Sequence, residues 1–107
     1  MPRMLTFLFV LLLLSQPTFA KKVTISGVGT GSCKLWLDAR TTKAQNVKLL
    51  EQWVLGYLSG NAYASERNIM KDVSPEVIYS KVDRVCSAKD TMDINEAVND
   101  VIRELEK

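Results

Sequence analysis

The first 20 residues constrain this chain most, because they decide how much of it folds and in which compartment. A short basic start, residues 1–4, precedes residues 5–14, which are apolar apart from Thr6. The polar stretch 15–17 and then Thr18-Phe19-Ala20 complete the order of regions typical of a secretory signal peptide. The alternative, a membrane anchor, would need roughly 20 apolar residues. We predict periplasmic export and a mature chain that begins at Lys21, without a stable membrane anchor.

Residues 21–107 would then form one small domain. A chain of this size buries only about 60% of its unfolded surface, so a covalent crosslink is expected. Cys33 and Cys86 are the two cysteines of the chain, and one disulfide is their simplest state in an oxidising compartment. Free or metal-bound thiols stay open, although zinc would need carboxylate ligands because the sequence contains no His.

Four segments carry helix signals. Ser32 can cap a first helix that fades near residues 40–42, and a longer helix is predicted over about 44–66. Ser74-Pro75-Glu76 begins a third helix, and Asp93 with Glu96 has the spacing of a capping box for the last. Apolar residues recur at 3- and 4-residue spacing along these segments, namely Leu35, Trp36 and Ala39; Val47, Leu50 and Val54; Ile78, Val82 and Val85; and Ile94, Ala97, Val98, Val101, Ile102 and Leu105. We therefore predict a single all-α, four-helix domain over residues 32–107.

Glycines mark two further features. In residues 21–31 they occupy alternate positions 27, 29 and 31, which predicts a flexible arm, with a short strand possible at Val23 and Ile25. Gly56 and Gly60 lie four residues apart inside the second predicted helix. Their spacing predicts close approach of another backbone, or a kink where the helix ends.

Charge is uneven along the chain. Residues 21–48 carry six basic and one acidic side chain, whereas residues 72–107 carry five basic and nine acidic ones. We expect these two regions to lie beside each other. Basic residues are not interleaved with aromatic ones, so the pattern does not favour nucleic-acid binding.

The sequence argues against an enzyme. It lacks His, the commonest general base, and its cysteines are not spaced as in redox catalysts. The acidic residues of the predicted polar helix faces are expected to be solvated: Asp83, Asp90, Asp93 and Asp100. We predict no cofactor and no metal, and a protein that acts by binding another protein. Trp36 and Trp53 are predicted to be core residues.

The segment from residue 61 to residue 72 is the predicted contact surface. It is polar, connects two helices, and carries Asn61, Tyr63, Glu66 and Arg67. Connections of this kind are exposed, and Tyr and Arg are frequent anchors in protein interfaces. The alternative is an ordinary helix end at which Arg67 pairs with a nearby acid.

Several short motifs resemble one group of proteins. They are residues 60–67 (GNAYASER) and 74–76 (SPE), then Lys81-Val82, Val85-Cys86 and Lys89-Asp90, with Cys33 before them and Asp100 and Arg103 after them. This pattern, over most of residues 32–107, resembles the HdeA-like small periplasmic helical proteins, the YmgD type above all. Residues 53–60 (WVLGYLSG) are similar to a Gly-Tyr-x-x-Gly stretch of Rap-type periplasmic immunity proteins.

Two functions follow from the resemblance. Tai- and Rap-type proteins imply an inhibitor or immunity protein for a secreted cell-wall amidase. The acid-stress chaperones of the HdeA type imply a holdase for unfolded periplasmic clients, which would need a homodimer that opens when carboxylates are protonated. With no His, that switch would have to lie below about pH 5. Specific binding is the preferred expectation, since it needs only a stable helical body with an exposed loop.

Overall fold

A computed structural model describes residues 23–107 of the chain. Within that range the chain forms four α-helices and no β-strand. The helices are α1 (Cys33–Thr42), α2 (Val47–Ser65), α3 (Pro75–Ala88) and α4 (Ile94–Leu105), and a 3-10 turn (Val28–Thr30) precedes them. The predicted all-α class is confirmed, whereas the predicted signal peptide lies outside the described residues.

Serine caps begin two of the helices, as the sequence predicts. The Ser32 hydroxyl accepts a hydrogen bond from the Leu35 backbone N–H at the start of α1. Ser74 accepts from the Val77 N–H at the start of α3, where Pro75 occupies the first helical position.

The predicted capping box of α4 is wrong. Asp93 precedes the helix in an extended conformation, but its side chain makes no capping hydrogen bond. The backbone there pairs with another segment instead: the Ile94 N–H donates to the Gly31 carbonyl at 2.8 Å. The Cys33 N–H donates to the Met92 carbonyl at 2.7 Å in the same antiparallel bridge. The start of α1 is therefore bound directly to the start of α4.

A disulfide joins α1 to α3 beside this bridge. Cys33 and Cys86 are bonded, with Cα atoms 5.0 Å apart and a sequence separation of 53. Both residues are completely buried. The predicted disulfide is confirmed, and neither cysteine remains available for a metal.

The helices bury one continuous apolar core. Its largest fully buried side chains come from all four helices: Trp36, Leu50, Leu58, Ile78, Ile94, Val54, Val82, Val98 and Val101. α4 packs against α3, α2 and the 3-10 turn, and α1 packs against α3 and α2. The predicted stripes hold except at Leu35, which is 41% exposed.

The glycine-rich segment is packed against α2 from Ser26 onward. The Trp53 indole N–H donates to the Ser26 carbonyl at 3.2 Å, and Gly29 is buried beneath the indole ring. A Cβ atom at Gly29 would overlap that ring. The sequence predicts a flexible arm over residues 21–31, but residues 26–31 lie on the helical body. Trp53, predicted as a core residue, is half-buried because it forms the cover of this segment.

Gly56 and Gly60 have a different environment from the one predicted. A Cβ atom built at either position meets no atom within 4 Å, and α2 continues past both to Ser65. The predicted close approach and the predicted kink are both wrong within the described chain. These glycines stand on an open helix face.

Reduction of the disulfide should destabilise the domain. We expect the free energy of unfolding to fall by about 2–5 kcal/mol, because the bond closes a long loop of the unfolded chain. Urea unfolding with and without reductant measures the difference. Titration of the denatured, unreduced monomer should find no free thiol, and two free thiols would contradict the bond.

Two glycine substitutions should have opposite effects. Gly29→Ala should lower stability by about 1–3 kcal/mol, because its methyl group has no room beneath Trp53. Gly60→Ala should raise stability by about 0.5–1 kcal/mol, because alanine favours the helix and the added Cβ is unobstructed. Chemical denaturation of dilute protein compares the pair, and equal effects would contradict the packed segment.

Candidate functional site: the helix end at residues 62–68

The end of α2 forms an open depression at the surface. Its volume is about 640 Å³, and its lining residues are Ala62, Tyr63, Ala64, Glu66, Arg67 and Asn68. Three of the four predicted contact residues, Tyr63, Glu66 and Arg67, therefore lie around one feature. Asn61 does not line it.

Tyr63 is the dominant side chain of this site. It is 88% exposed, more than any other large apolar residue in the described part of the chain. It sits in the last turns of α2, whose opposite side is anchored by the completely buried Leu58. An aromatic ring is thus held in solvent on a fixed helix end, where a partner could bury it at little entropic cost.

The backbone fixes the end of the helix around Tyr63. Glu66 adopts the left-handed conformation, with φ of 57°, and its N–H caps the helix by donating to the carbonyls of Ala62 and Tyr63. The Arg67 N–H also donates to the Ala62 carbonyl, at 3.1 Å. These bonds orient Glu66 and Arg67 on the rim of the depression.

The remaining predicted contact residue is placed differently. Asn61 is half-buried, and its Oδ1 atom is shielded from solvent without a hydrogen-bond partner among residues 23–107. Arg67 pairs with Glu106 at 3.5 Å but remains 63% exposed. The alternative expectation of an Arg67 ion pair is therefore met, and the guanidinium group still has a free face.

A second polar cluster, which the sequence analysis missed, joins three helices. Arg40 of α1 donates to both carboxylate oxygens of Asp83 on α3, at 3.0 and 2.7 Å. It also donates to Glu51 of α2 at 3.0 Å. The Glu51 side chain is only 7% exposed. This cluster brings the basic region near the start of the chain against the acidic region near its end, as predicted.

Aromatic rings complete the surroundings of Arg40. Its guanidinium carbon lies 5.6 Å from the Trp36 ring centroid and 5.4 Å from that of Tyr79. The Trp36 indole N–H donates to Asp83 at 2.7 Å. Hydrogen bonding to Asp83 raises the pKa of Arg40, against burial, which lowers it. Burial and the nearby charge of Glu51 raise the pKa of Tyr79. The cluster joins α1, α2 and α3 through one guanidinium group and two carboxylates.

Asp83 and Glu51 correct the predicted distribution of acids. The expectation that Asp83 is solvated on a polar face is wrong, because it packs beside Trp36 and binds Arg40. The only sequence signal for either acid was its position next to a residue of an apolar stripe. Glu51 directly follows the stripe residue Leu50, and Asp83 directly follows Val82. Neither position reveals a partner that lies 11 or 43 residues away.

A third ionic contact ties α3 to α4. Lys81 donates to Glu104 at 2.7 Å, and Arg84 donates to the other carboxylate oxygen. The hydrogen bonds from Lys81 and then Arg84 lower the pKa of Glu104 below its ordinary value of 4.5. A carboxyl whose pKa is lower in the folded state stabilises the fold above its unfolded pKa. That contribution is lost as pH falls through the lowered value.

Other kinds of site are not found in residues 23–107. No helix there is long and apolar enough to span a membrane, and no group of three or more potential metal ligands occurs there. Comparisons with protein-family models, curated proteins and solved structures found no match.

The buried position of Glu51 gives a testable consequence. Arg40→Met should destabilise the protein by about 2 kcal/mol or more, because it leaves the buried Glu51 carboxylate with only the exposed Lys48, 3.8 Å away, as a cation. Adding Glu51→Gln to that variant should recover part of the loss, since the uncompensated charge is removed. Urea unfolding at neutral pH measures both. No recovery in the double variant would contradict the role of Arg40 in neutralising Glu51.

Proposed function

We propose that this protein is exported and acts by binding another protein through the end of α2, without catalysing a reaction. The observation that carries the proposal is Tyr63, 88% exposed on a helix end that the core and the capping bonds hold in place. Large aromatic residues on rigid supports are the usual anchors of protein interfaces. The disulfide supports the exported location, because such bonds persist in oxidising compartments.

The electrostatics of the depression support a polar partner surface. Glu66 and Arg67 lie next to Tyr63 on its rim, and Arg67 remains 63% exposed while paired with Glu106. A partner carboxylate can therefore approach Arg67 without breaking the existing pair. An aromatic anchor flanked by both charges suits one specific partner better than many unrelated clients.

The resemblance to HdeA-like proteins and to Tai- and Rap-type immunity proteins narrows the choice of partner. The partner we propose is a secreted cell-wall amidase, which this protein inhibits on behalf of the cell that makes it. A purified periplasmic amidase provides the direct assay: the protein should lower its rate of peptidoglycan hydrolysis in a saturable manner.

The second candidate function is an acid-activated holdase. The observation that favours it is that carboxylates join the helices to one another: Glu51 and Asp83 through Arg40, and Glu104 through Lys81 and Arg84. The contribution of the Glu104 joint to stability is lost as pH falls through the lowered pKa of Glu104. Suppression of client aggregation in acid, with none at neutral pH, would support this function over specific binding.

Substitutions at the helix end should weaken partner binding selectively. Tyr63→Ala and Arg67→Ala should each reduce the affinity for the partner by more than about 1 kcal/mol. Neither should shift the melting temperature greatly, because both side chains are largely exposed. Isothermal titration calorimetry with the purified amidase measures affinity, and circular dichroism measures stability.

Val77 provides the matched control. It is an exposed apolar residue, 45% accessible, on α3 rather than α2. Val77→Ala should leave the affinity unchanged. Equal affinity in Tyr63→Ala, Arg67→Ala and the unaltered protein would move the interface away from α2, with residues 23–31 as the next region to examine.

A further inference from the structure

One long face of α2 carries no covering element within the described chain. Gly56 and Gly60 lie at its centre with open space above them. Leu49 and Tyr63 mark its two ends and are 66% and 88% exposed. These four positions fall on one side of the helix, because each residue turns it by about 100°. Leu50, Val54 and Leu58 occupy the buried side.

Trp53 forms one wall of this face. Its indole stacks on Tyr57, with ring centroids 5.1 Å apart, and its N–H is bonded to Ser26. Tyr57 is itself bonded to Asn99 of α4 at 2.8 Å. The wall is therefore held in one position before any partner arrives. The face combines a fixed aromatic wall with two positions that have no side chain.

The order of residues along the face is complementary to itself. Leu49 and Tyr63 are each seven residues, about two turns, from Gly56. In an antiparallel pair of such helices with Gly56 at the twofold axis, each Leu49 meets the Tyr63 of the other copy. Each Trp53 lies opposite a Gly60, a bulky residue opposite an open position. An interface between identical surfaces requires this kind of self-complementarity.

The charges at the two ends of the face match the same arrangement. Lys48 lies at the N-terminal end; its Nζ is 3.8 Å from a carboxylate oxygen of Glu51, and its side chain is 86% exposed. Glu66 is exposed at the C-terminal end and takes part in no ion pair among the described residues. Lys48 lies in the first turn of α2, eight residues before Gly56, and Glu66 directly follows the last helical residue, ten residues after Gly56. An antiparallel second copy would therefore bring the Lys48 end of each helix to the Glu66 end of the other, whereas a parallel copy would bring ends of like charge to the same level.

We propose that this α2 face binds a second copy of the same chain, antiparallel and centred on Gly56. The dimer is weak and reversible, because a single helix face buries a small area. This inference does not rest on the proposed function, since Gly56, Lys48 and Leu49 lie outside residues 61–72. Tyr63 and Glu66 belong to both surfaces, so a partner bound at the helix end excludes the second copy.

Sedimentation velocity of the disulfide-bonded protein over a range of concentrations tests the proposal. The unaltered protein should change from monomer to dimer as concentration rises. Gly56→Gln should weaken the dimer by at least about tenfold, because the new side chain occupies the centre of the interface. Ser80→Gln, the same new side chain on the exposed surface of α3, should leave dimerisation unchanged. A monomer at every concentration would overturn the proposal and leave the face to a different protein.

A charge exchange tests the register. Lys48→Glu should weaken the dimer, because it places two acids together at each end of the interface. Combining it with Glu66→Lys should restore dimerisation, since the opposite charges then meet again with exchanged positions. A double variant that dimerises as weakly as Lys48→Glu alone would overturn the antiparallel arrangement. Lys48 lies outside residues 61–72, so the Lys48→Glu variant alone tests the dimer without altering the contact surface proposed above.

Discussion

The arrangement of this domain depends on a cluster of crosslinks around Cys33. Its sulfur atom is bonded to that of Cys86 of α3, and its N–H donates to the Met92 carbonyl just before α4. Two residues earlier, the Gly31 carbonyl accepts from Ile94. The start of α1 is thereby fixed to two later helices, one covalently and one through the backbone. In a domain with so small a core, these bonds decide which helices are neighbours, and apolar packing then fills the space between them.

Much of the fold could be predicted because its signals are local. The caps and the helix-starting proline act within one helical turn, at Ser32, Ser74 and Pro75. The spacing of the apolar residues in α4 directly predicts its buried face. The failures at Asp93 and Gly56 have a common cause. The backbone on either side of Asp93 bonds to residues 31 and 33, and the space above Gly56 is empty because no other helix packs there. Both outcomes depend on distant parts of the chain, which local spacing does not encode.

The part of the candidate site that was predicted correctly also has local signals. Tyr63, Glu66 and Arg67 follow a long helix in a polar stretch, and exposure at such an end is a local property. Asn61 belongs to the preceding turn, where one step of about 100° moves a side chain from the rim toward the core. The Arg40 cluster escaped prediction because its acids are separated from Arg40 by 11 and 43 residues. Each of them resembles any other charged residue at the edge of an apolar stripe.

The position of the disulfide also determines how the protein would respond to a protease. The connection between α2 and α3 carries exposed Lys71 and Asp72, and it separates the two cysteines in sequence. A single cut there would produce one piece containing Cys33 and another containing Cys86. The buried bond would keep the pieces joined, and each would retain the helices that the other needs for its core. A nicked molecule could thus remain assembled, with its fragments separating only after both reduction and unfolding.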